Sequence, residues 1–210
     1  MEPRETAAVY DLIGHHWADA GFPATNGIAA HARALAFLGA RRGAALDVGC
    51  GANPRLRAWL MGQGFAVEGV DISPRMLELA RRAQPGLTFH QADICEWTPP
   101  RRYTFITAWD SIWHVPLDRQ LAVIAKLCAA LEPGGVLVFT SGGLAEPNEV
   151  TNPCHGVPLY HAAPGIPNIL RTLCEAGAVL RHFEFDQWPE SHVYFVAQMM
   201  SEPHDEKGPV

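Results

Sequence analysis

Runs of consecutive apolar residues alternate along this chain with segments whose apolar positions recur every three or four residues. The runs at 44–48, 66–70, 88–91, 104–108, 136–140, 179–185 and 192–199 have the length and the β-branched and aromatic content of strands. Between them, "PRLRAWLMGQG" opens on Pro54, which suits a first helical turn, and puts Leu56, Trp59 and Leu60 on one face. Ser73 and Pro74 supply an N-cap and a first-turn proline to a second helix carrying Met76, Leu77 and Leu79. In "LDRQLAVIAKLCAAL" the residues Leu117, Leu121, Ile124, Leu127, Cys128 and Leu131 fall at helical spacing, and "EPGG" stops the helix. Strands alternating with amphipathic helices predict an α/β fold, a doubly wound and mostly parallel sheet of seven strands.

The final pair of strands departs from that rule. Only "DQWPES" joins them, and a parallel crossover needs a dozen or more residues, so the C-terminal strand is expected to return antiparallel. Ahead of the sheet, 4–20 and 26–38 read as helices. After the fifth strand, 141–165 is rich in Pro, Gly and Asn, and reads as a long binding loop. The whole predicts one domain over 1–200, with an N-terminal helical region at 1–40 and a core at 43–140, and a flexible tail at 201–210.

Composition narrows the partners. Of 210 residues, 48% are hydrophobic and 18% charged, and no stretch approaches the roughly 18 consecutive apolar residues of a bilayer span. The start, "MEPRETAAVYDL", lacks the basic and apolar segments of an export signal. The five cysteines stand singly, as reduced thiols of a cytoplasmic protein do. A net charge of -6, with arginines dispersed among acids, argues against a nucleic-acid partner.

The chemistry concentrates in "LDVGCGANP". Gly49 and Gly51 permit close backbone approach of a ligand, and a helix N-terminus follows. Asp71, 22 residues after Gly49 at the end of the next strand, is placed to take both ribose hydroxyls of an adenosine. A dinucleotide turn reads GxGxxG; here the third glycine is missing, and Asp47 precedes the first.

Taken in order, "LDVGCG", "VDIS", "QADI", "ITAWDSIWHVP" and "LEPGGVLVF" resemble the class I S-adenosylmethionine-dependent methyltransferase family over about 43–140. The resemblance implies a Rossmann-like fold with S-adenosylmethionine as cofactor. It implies that Asp47 helps hold the methionine amino group through the turn, where Gly49, Cys50 and Gly51 line the ligand. Asp71 takes the ribose hydroxyls, with Ile72 beside the adenine, and Asp93 and Ile94 match the pair at the adenine edge. Ala108 and Trp109 match the segment beneath the sulfonium. Asn53 stands where the family often has a further glycine. Family members frequently fold an N-terminal segment over the cofactor, which makes 1–40 a lid and Tyr10 its expected contact; Tyr10, Ile13 and Trp17 read equally well as the buried stripe of a helix.

A sulfonium methyl is already electrophilic, so such an enzyme chiefly positions a nucleophile and needs a base only for a protonated one. No catalytic residue follows from the sequence. Asp110 and His114 stand four apart, a spacing that lets a carboxylate orient an imidazole, and His155 and Tyr160 are further candidates for the acceptor pocket. Ten histidines are present, but no ligand-spaced cluster, and no metal is expected. The reading is a methyltransferase acting on an oxygen or nitrogen of a small molecule. Its alternatives are a non-catalytic module binding S-adenosylmethionine or S-adenosylhomocysteine and an NAD-dependent oxidoreductase. Oligomeric state is not legible.

Overall fold

The computed structural model describes residues 1–18 and 23–201, so the expected tail beyond Ser201 and the end of the first expected helix lie outside the described residues. The chain runs through α1 (Pro3–Ile13), α2 (His15–Ala18), α3 (Ile28–Ala36), β1 (Ala44–Val48), α4 (Arg55–Gly62), β2 (Ala66–Asp71), α5 (Pro74–Ala83), β3 (Thr88–Gln91) and β4 (Tyr103–Ala108). It continues through α6 (Leu117–Ala129), β5 (Leu131–Gly142), β6 (Asn148–Cys154), β7 (Val157–Ala163), α7 (Ile166–Glu175), β8 (Ala178–Glu184) and β9 (His192–Met199).

Seven strands form one sheet in the order β3-β2-β1-β4-β5-β9-β8. The first five pair in parallel, and β9 is antiparallel to both β5 and β8, as the short link between β8 and β9 requires. Alternate residues of each central strand feed two cores. Leu46, Ile106, Leu137, Phe139 and Phe195 pack with Ile124 and Leu127 of α6 and with Leu173 of α7, while Ala45, Phe105, Val138 and Val196 pack with Ala34 of α3 and Leu60 of α4. Burial on both faces is why these strands read as unbroken apolar runs.

Three expectations are corrected. The segment 141–165 is not a loop: β5 extends to Gly142, and β6 and β7 form a separate antiparallel ribbon turning at His155 and Gly156, both at positive φ (47° and 83°). Its strand signal is masked because Pro153 and Pro158 face one another, and a free-standing ribbon has two edges where a missing N–H costs nothing. Directly after it, α7, with Ile169 and Leu173 buried, is a helix that the periodicity does not predict. The first expected helix breaks at Gly14, where a Cβ would lie 2.7 Å from the Tyr10 carbonyl oxygen and 3.0 Å from Met76 Sδ. Pro54 caps α4 instead of opening it, its carbonyl accepting the Ala58 N–H at 2.8 Å.

Candidate active site

The glycine turn leaves β1 with Gly49 at φ 62° and Gly51 at φ 53°, a region that glycine enters without strain. Each has its own second reason. A Cβ on Gly49 would come within 2.3 Å of Ser111 Cβ, whereas one on Gly51 would meet nothing within 4 Å, so that face of Gly51 opens on empty space. Asp71 closes the turn from β2: Oδ2 accepts the Gly51 N–H at 2.8 Å, and Oδ1 accepts the Ser73 N–H at 2.9 Å. Burial pushes the Asp71 pKa up, opposed by these two donors. Ser73 caps α5 through Met76 N–H at 3.0 Å and donates to Asp11 of α1 at 2.6 Å, which seats the N-terminal helix over the strand ends.

Beneath the turn lies a residue that sequence reading missed. Arg57, fully buried on α4, donates to Asp47 Oδ2 at 2.9 Å, to the Cys50 carbonyl at 2.5 Å and to Gln84 at 2.9 Å. Burial raises the Asp47 pKa while Arg57 opposes the shift, and the pair braces β1 against the turn. The available signal was an arginine between Leu56 and Leu60, the two leucines that the helix buries with it.

Two adjoining cavities of about 80 and 150 Å³ sit over this floor, with Thr6, Gly49, Asp71, Ile72, Ser111 and His114 common to both. The first also takes Asp93, Ile94 and, from α1, Pro3; the second takes Tyr10, Trp17, Asp47, Cys50, Gly51, Asn53 and Trp109. The structure thus gathers every expected ligand-lining residue except Ala108, which is wholly buried in the core and reaches neither cavity. Trp109 is anchored by its indole N–H to Asn26 Oδ1 at 2.8 Å. Asn53, at the position where the resembled family often has a further glycine, accepts the Arg55 N–H at 3.0 Å and donates to the Trp17 carbonyl at 3.1 Å.

Tyr10, Trp17, Asp110 and His114 also border a third, larger chamber of about 710 Å³ beneath the β6–β7 ribbon. Among its walls are Trp113, Asn152, Cys154, His161, Glu190 and His192. His155 does not line it: the ring is exposed at the ribbon's turn and stacks on His16 of α2 at 3.9 Å. The Tyr160 side chain is buried beside it, its hydroxyl donating to Glu149 at 2.5 Å and accepting the Leu117 N–H at 3.1 Å.

The expected Asp110–His114 pair does not form, because the segment after β4 is a single tight turn at Ile112–His114 and not an α-helix. His114 instead donates from Nδ1 to the Tyr160 carbonyl at 2.7 Å, which leaves Nε2 to accept the Tyr10 hydroxyl at 2.7 Å and the Trp113 indole N–H at 2.9 Å. Burial lowers its pKa to about 3, so the ring is neutral at pH 7. Asp110, at φ 51°, meets His192 of β9 instead, with Oδ1 3.0 Å from Nε2, while Nδ1 of that ring lies 2.5 Å from Asp186 Oδ1. Burial opposes the charge on His192, but the two carboxylates hold its pKa above the usual value.

Among the described residues no three histidine, cysteine or acidic side chains converge to hold a metal ion, and no helix is long and apolar enough to cross a membrane. A family described as "Methyltransferase domain" matches residues 25–155. The chain is 37% identical over 109 residues to trans-aconitate 2-methyltransferase of Rhodopseudomonas palustris (strain BisB18), covering 50% of this chain and 41% of that protein. Over 95 residues it is 35% identical to dTDP-3-amino-3,6-dideoxy-alpha-D-glucopyranose N,N-dimethyltransferase of Streptomyces fradiae, covering 44% and 37% respectively. It therefore spans about two fifths of the length of these curated relatives. The crystal structure of 1,6-didemethyltoxoflavin-N1-methyltransferase from Burkholderia thailandensis, with bound 1,6-didemethyltoxoflavin and S-adenosylhomocysteine, shares the fold at TM-score 0.67 and 21% identity, over 96% of this chain and 92% of that one. The family match takes in the sheet from β1 to β5 and more than half of the chain, and on it this chain belongs to the methyltransferase-domain family.

Proposed function

We propose that this chain transfers the methyl group of S-adenosylmethionine to a small-molecule acceptor. One observation carries the reading: the cavity over the Gly49–Gly51 turn and Asp71 adjoins a separate, larger chamber, and Tyr10, Trp17, Asp110 and His114 line both. A donor and an acceptor thus have adjoining places. That favours catalysis over a module that merely holds the nucleoside, for which a second chamber has no use.

The residues present fit the cofactor. Each Asp71 oxygen accepts one backbone N–H and keeps acceptor capacity for a ribose hydroxyl. The open face of Gly51 gives the ligand backbone to lie against, and Asp47, with one oxygen on Arg57, keeps acceptor capacity that suits the methionine amino group. Ile72, Asp93 and Ile94 border the largely apolar end suited to adenine. When bound, S-adenosylmethionine supplies a methyl group already activated on sulfur.

The chain's own part is then positioning and exclusion of water. The α1 helix closes the cavity through Thr6 and Tyr10, and Tyr10 is fixed by His114. His114 holds its proton on Nδ1 against a carbonyl and offers Nε2 to two donors, so it acts as a positioning residue and not as a base. An NAD-dependent reading is disfavoured by Pro54, which stands where the third glycine of a dinucleotide turn would fall. The small acceptors in the names of the relatives support a metabolite-sized substrate. All five cysteines are free, which suits a reducing, cytoplasmic setting.

Isothermal titration with S-adenosylmethionine, S-adenosylhomocysteine and NAD tests the reading. Both sulfur ligands are expected to bind the wild-type protein and to lose about 100-fold or more affinity in Asp71→Ala, which removes the charged acceptor of two ribose hydroxyls. Absence of binding, or preference for NAD, overturns it.

A further inference from the structure

The charges around the acceptor chamber are one-sided. Asp110 and Glu190 line it, Asp186 stands behind His192, and no arginine or lysine is among the described residues of its wall. Its histidines do not balance the acids. His114 and His161 are kept neutral by burial, and His192, whose pKa its carboxylate partners hold above the usual value, sits between Asp110 and Asp186. Arg55 lines the cofactor side, where it feels the charges of Asp110 and Asp47, and donates to the Asn26 carbonyl at 3.0 Å.

The geometry around Asp110 is built. It occupies a left-handed backbone position, uncommon outside glycine, and its N–H donates to Thr140 Oγ1 at 2.8 Å. His192 fixes one carboxylate oxygen at 3.0 Å and is itself fixed by Asp186 at 2.5 Å. A carboxylate has more acceptor sites than one such bond uses. Tyr10, Trp17 and Trp113 line the same chamber, and aromatic faces attract cations.

We infer that the acceptor is a planar or apolar amine, recognised by the Asp110 carboxylate that His192 and Asp186 hold in place. This rests on the methyltransferase reading and deepens it. A di- or tricarboxylic acceptor would have to shed its water among three carboxylates with no guanidinium or ammonium in the wall to receive it. An amine meets a negative charge at the junction with the cofactor cavity, and aromatic walls beside it. Bound as an ammonium, it passes one proton to the Asp110 carboxylate, which frees the nitrogen lone pair to take the methyl group as S-adenosylhomocysteine leaves.

Calorimetry on the full chain at pH 7.5 separates the two levels. S-adenosylhomocysteine is titrated first; if it does not bind, the methyltransferase reading fails and this inference falls with it. The loaded protein is then titrated with three matched probes, tryptamine, indole-3-propionate and indole-3-ethanol. Tryptamine is expected to bind at least about tenfold more tightly than the carboxylate, the effect of one charge-assisted contact. Asp110→Asn is expected to erase that preference while S-adenosylhomocysteine still binds. His192→Gln, which leaves the carboxylate but frees it, is expected to weaken tryptamine about three- to tenfold, and remains informative if Asp110→Asn fails to fold. Equal or tighter binding of indole-3-propionate, binding of none of the probes by the loaded protein, or a preference unchanged in the variants overturns the inference and leaves the methyltransferase reading standing.

Discussion

Tyr10 on α1 donates its hydroxyl proton to Nε2 of His114 across 2.7 Å, and Nδ1 of the same ring donates to the Tyr160 carbonyl on β7, also at 2.7 Å. One neutral imidazole thereby ties the N-terminal helix and the β6–β7 ribbon to the strand ends, at the place where the two cavities meet. Tyr10→Phe keeps the ring and removes the bond. We expect a loss of about 1 kcal/mol, read as about a fivefold weaker affinity for S-adenosylhomocysteine and faster amide exchange over α1. Unchanged exchange there would show that the helix is held by packing alone.

The two glycines of the turn separate folding from binding. Gly49→Ala combines a positive φ with a 2.3 Å approach to Ser111, and is expected to cost about 2–4 kcal/mol in urea unfolding. Gly51→Ala meets no protein atom within 4 Å, so its cost is that of the backbone alone, about 1–2 kcal/mol. Its methyl group instead enters the cavity, and we expect nucleoside binding to be lost from a folded protein. A Gly51→Ala protein that binds normally would move the ligand away from this turn.

Arg57 and Asp47 form a buried ion pair at 2.9 Å. Arg57→Met leaves Asp47 charged and unpaired beneath the turn, a change expected to cost about 3–5 kcal/mol. Asp47→Asn combined with Arg57→Met is expected to recover a large part of that loss. Additive losses in the double variant would mean the pair is not coupled.

The buried histidines give the fold an acid limit. Burial lowers His31 to about 4 and His114 to about 3, and each donates from Nδ1 to a backbone carbonyl, of Gly27 and Tyr160 respectively. Both values lie below the ~6.5 of an unfolded imidazole, so the unfolded chain takes up protons first. The stability concerned is fully present above that pH and is lost as pH falls from about 6.5 towards the folded values, by up to about 1.4 kcal/mol per pH unit for each ring. His114→Gln removes one of the two. The stability difference between wild type and variant is expected to shrink by about 2 kcal/mol between pH 7 and pH 5 in urea unfolding, and a constant difference would show that His114 titrates normally.

Much of the site lies in plain view along the chain because it is local. Gly49, Gly51 and Asp71 sit at the ends of neighbouring strands, and strand ends are marked by where apolar runs stop. The same holds for Ile72, Asp93 and Ile94, which follow β2 and β3 directly. Spacing was a poor guide at Asp110 and His114, since four residues imply a shared face only within an α-helix, and the chain makes a single tight turn there.

By itself the sequence determined the alternation of strands and helices, the antiparallel return of β9 and the turn that faces the proposed cofactor, since each depends on periodicity or on neighbouring residues. Only the tertiary structure decided the rest. Arg57 finds Asp47 from the adjacent helix, and Asp110 passes over His114 for His192, 82 residues away. The Pro-rich segment after β5 becomes a ribbon that roofs a chamber. Such pairings follow from which strand ends the sheet brings together, and a charge partner across the fold leaves no periodic trace in the chain.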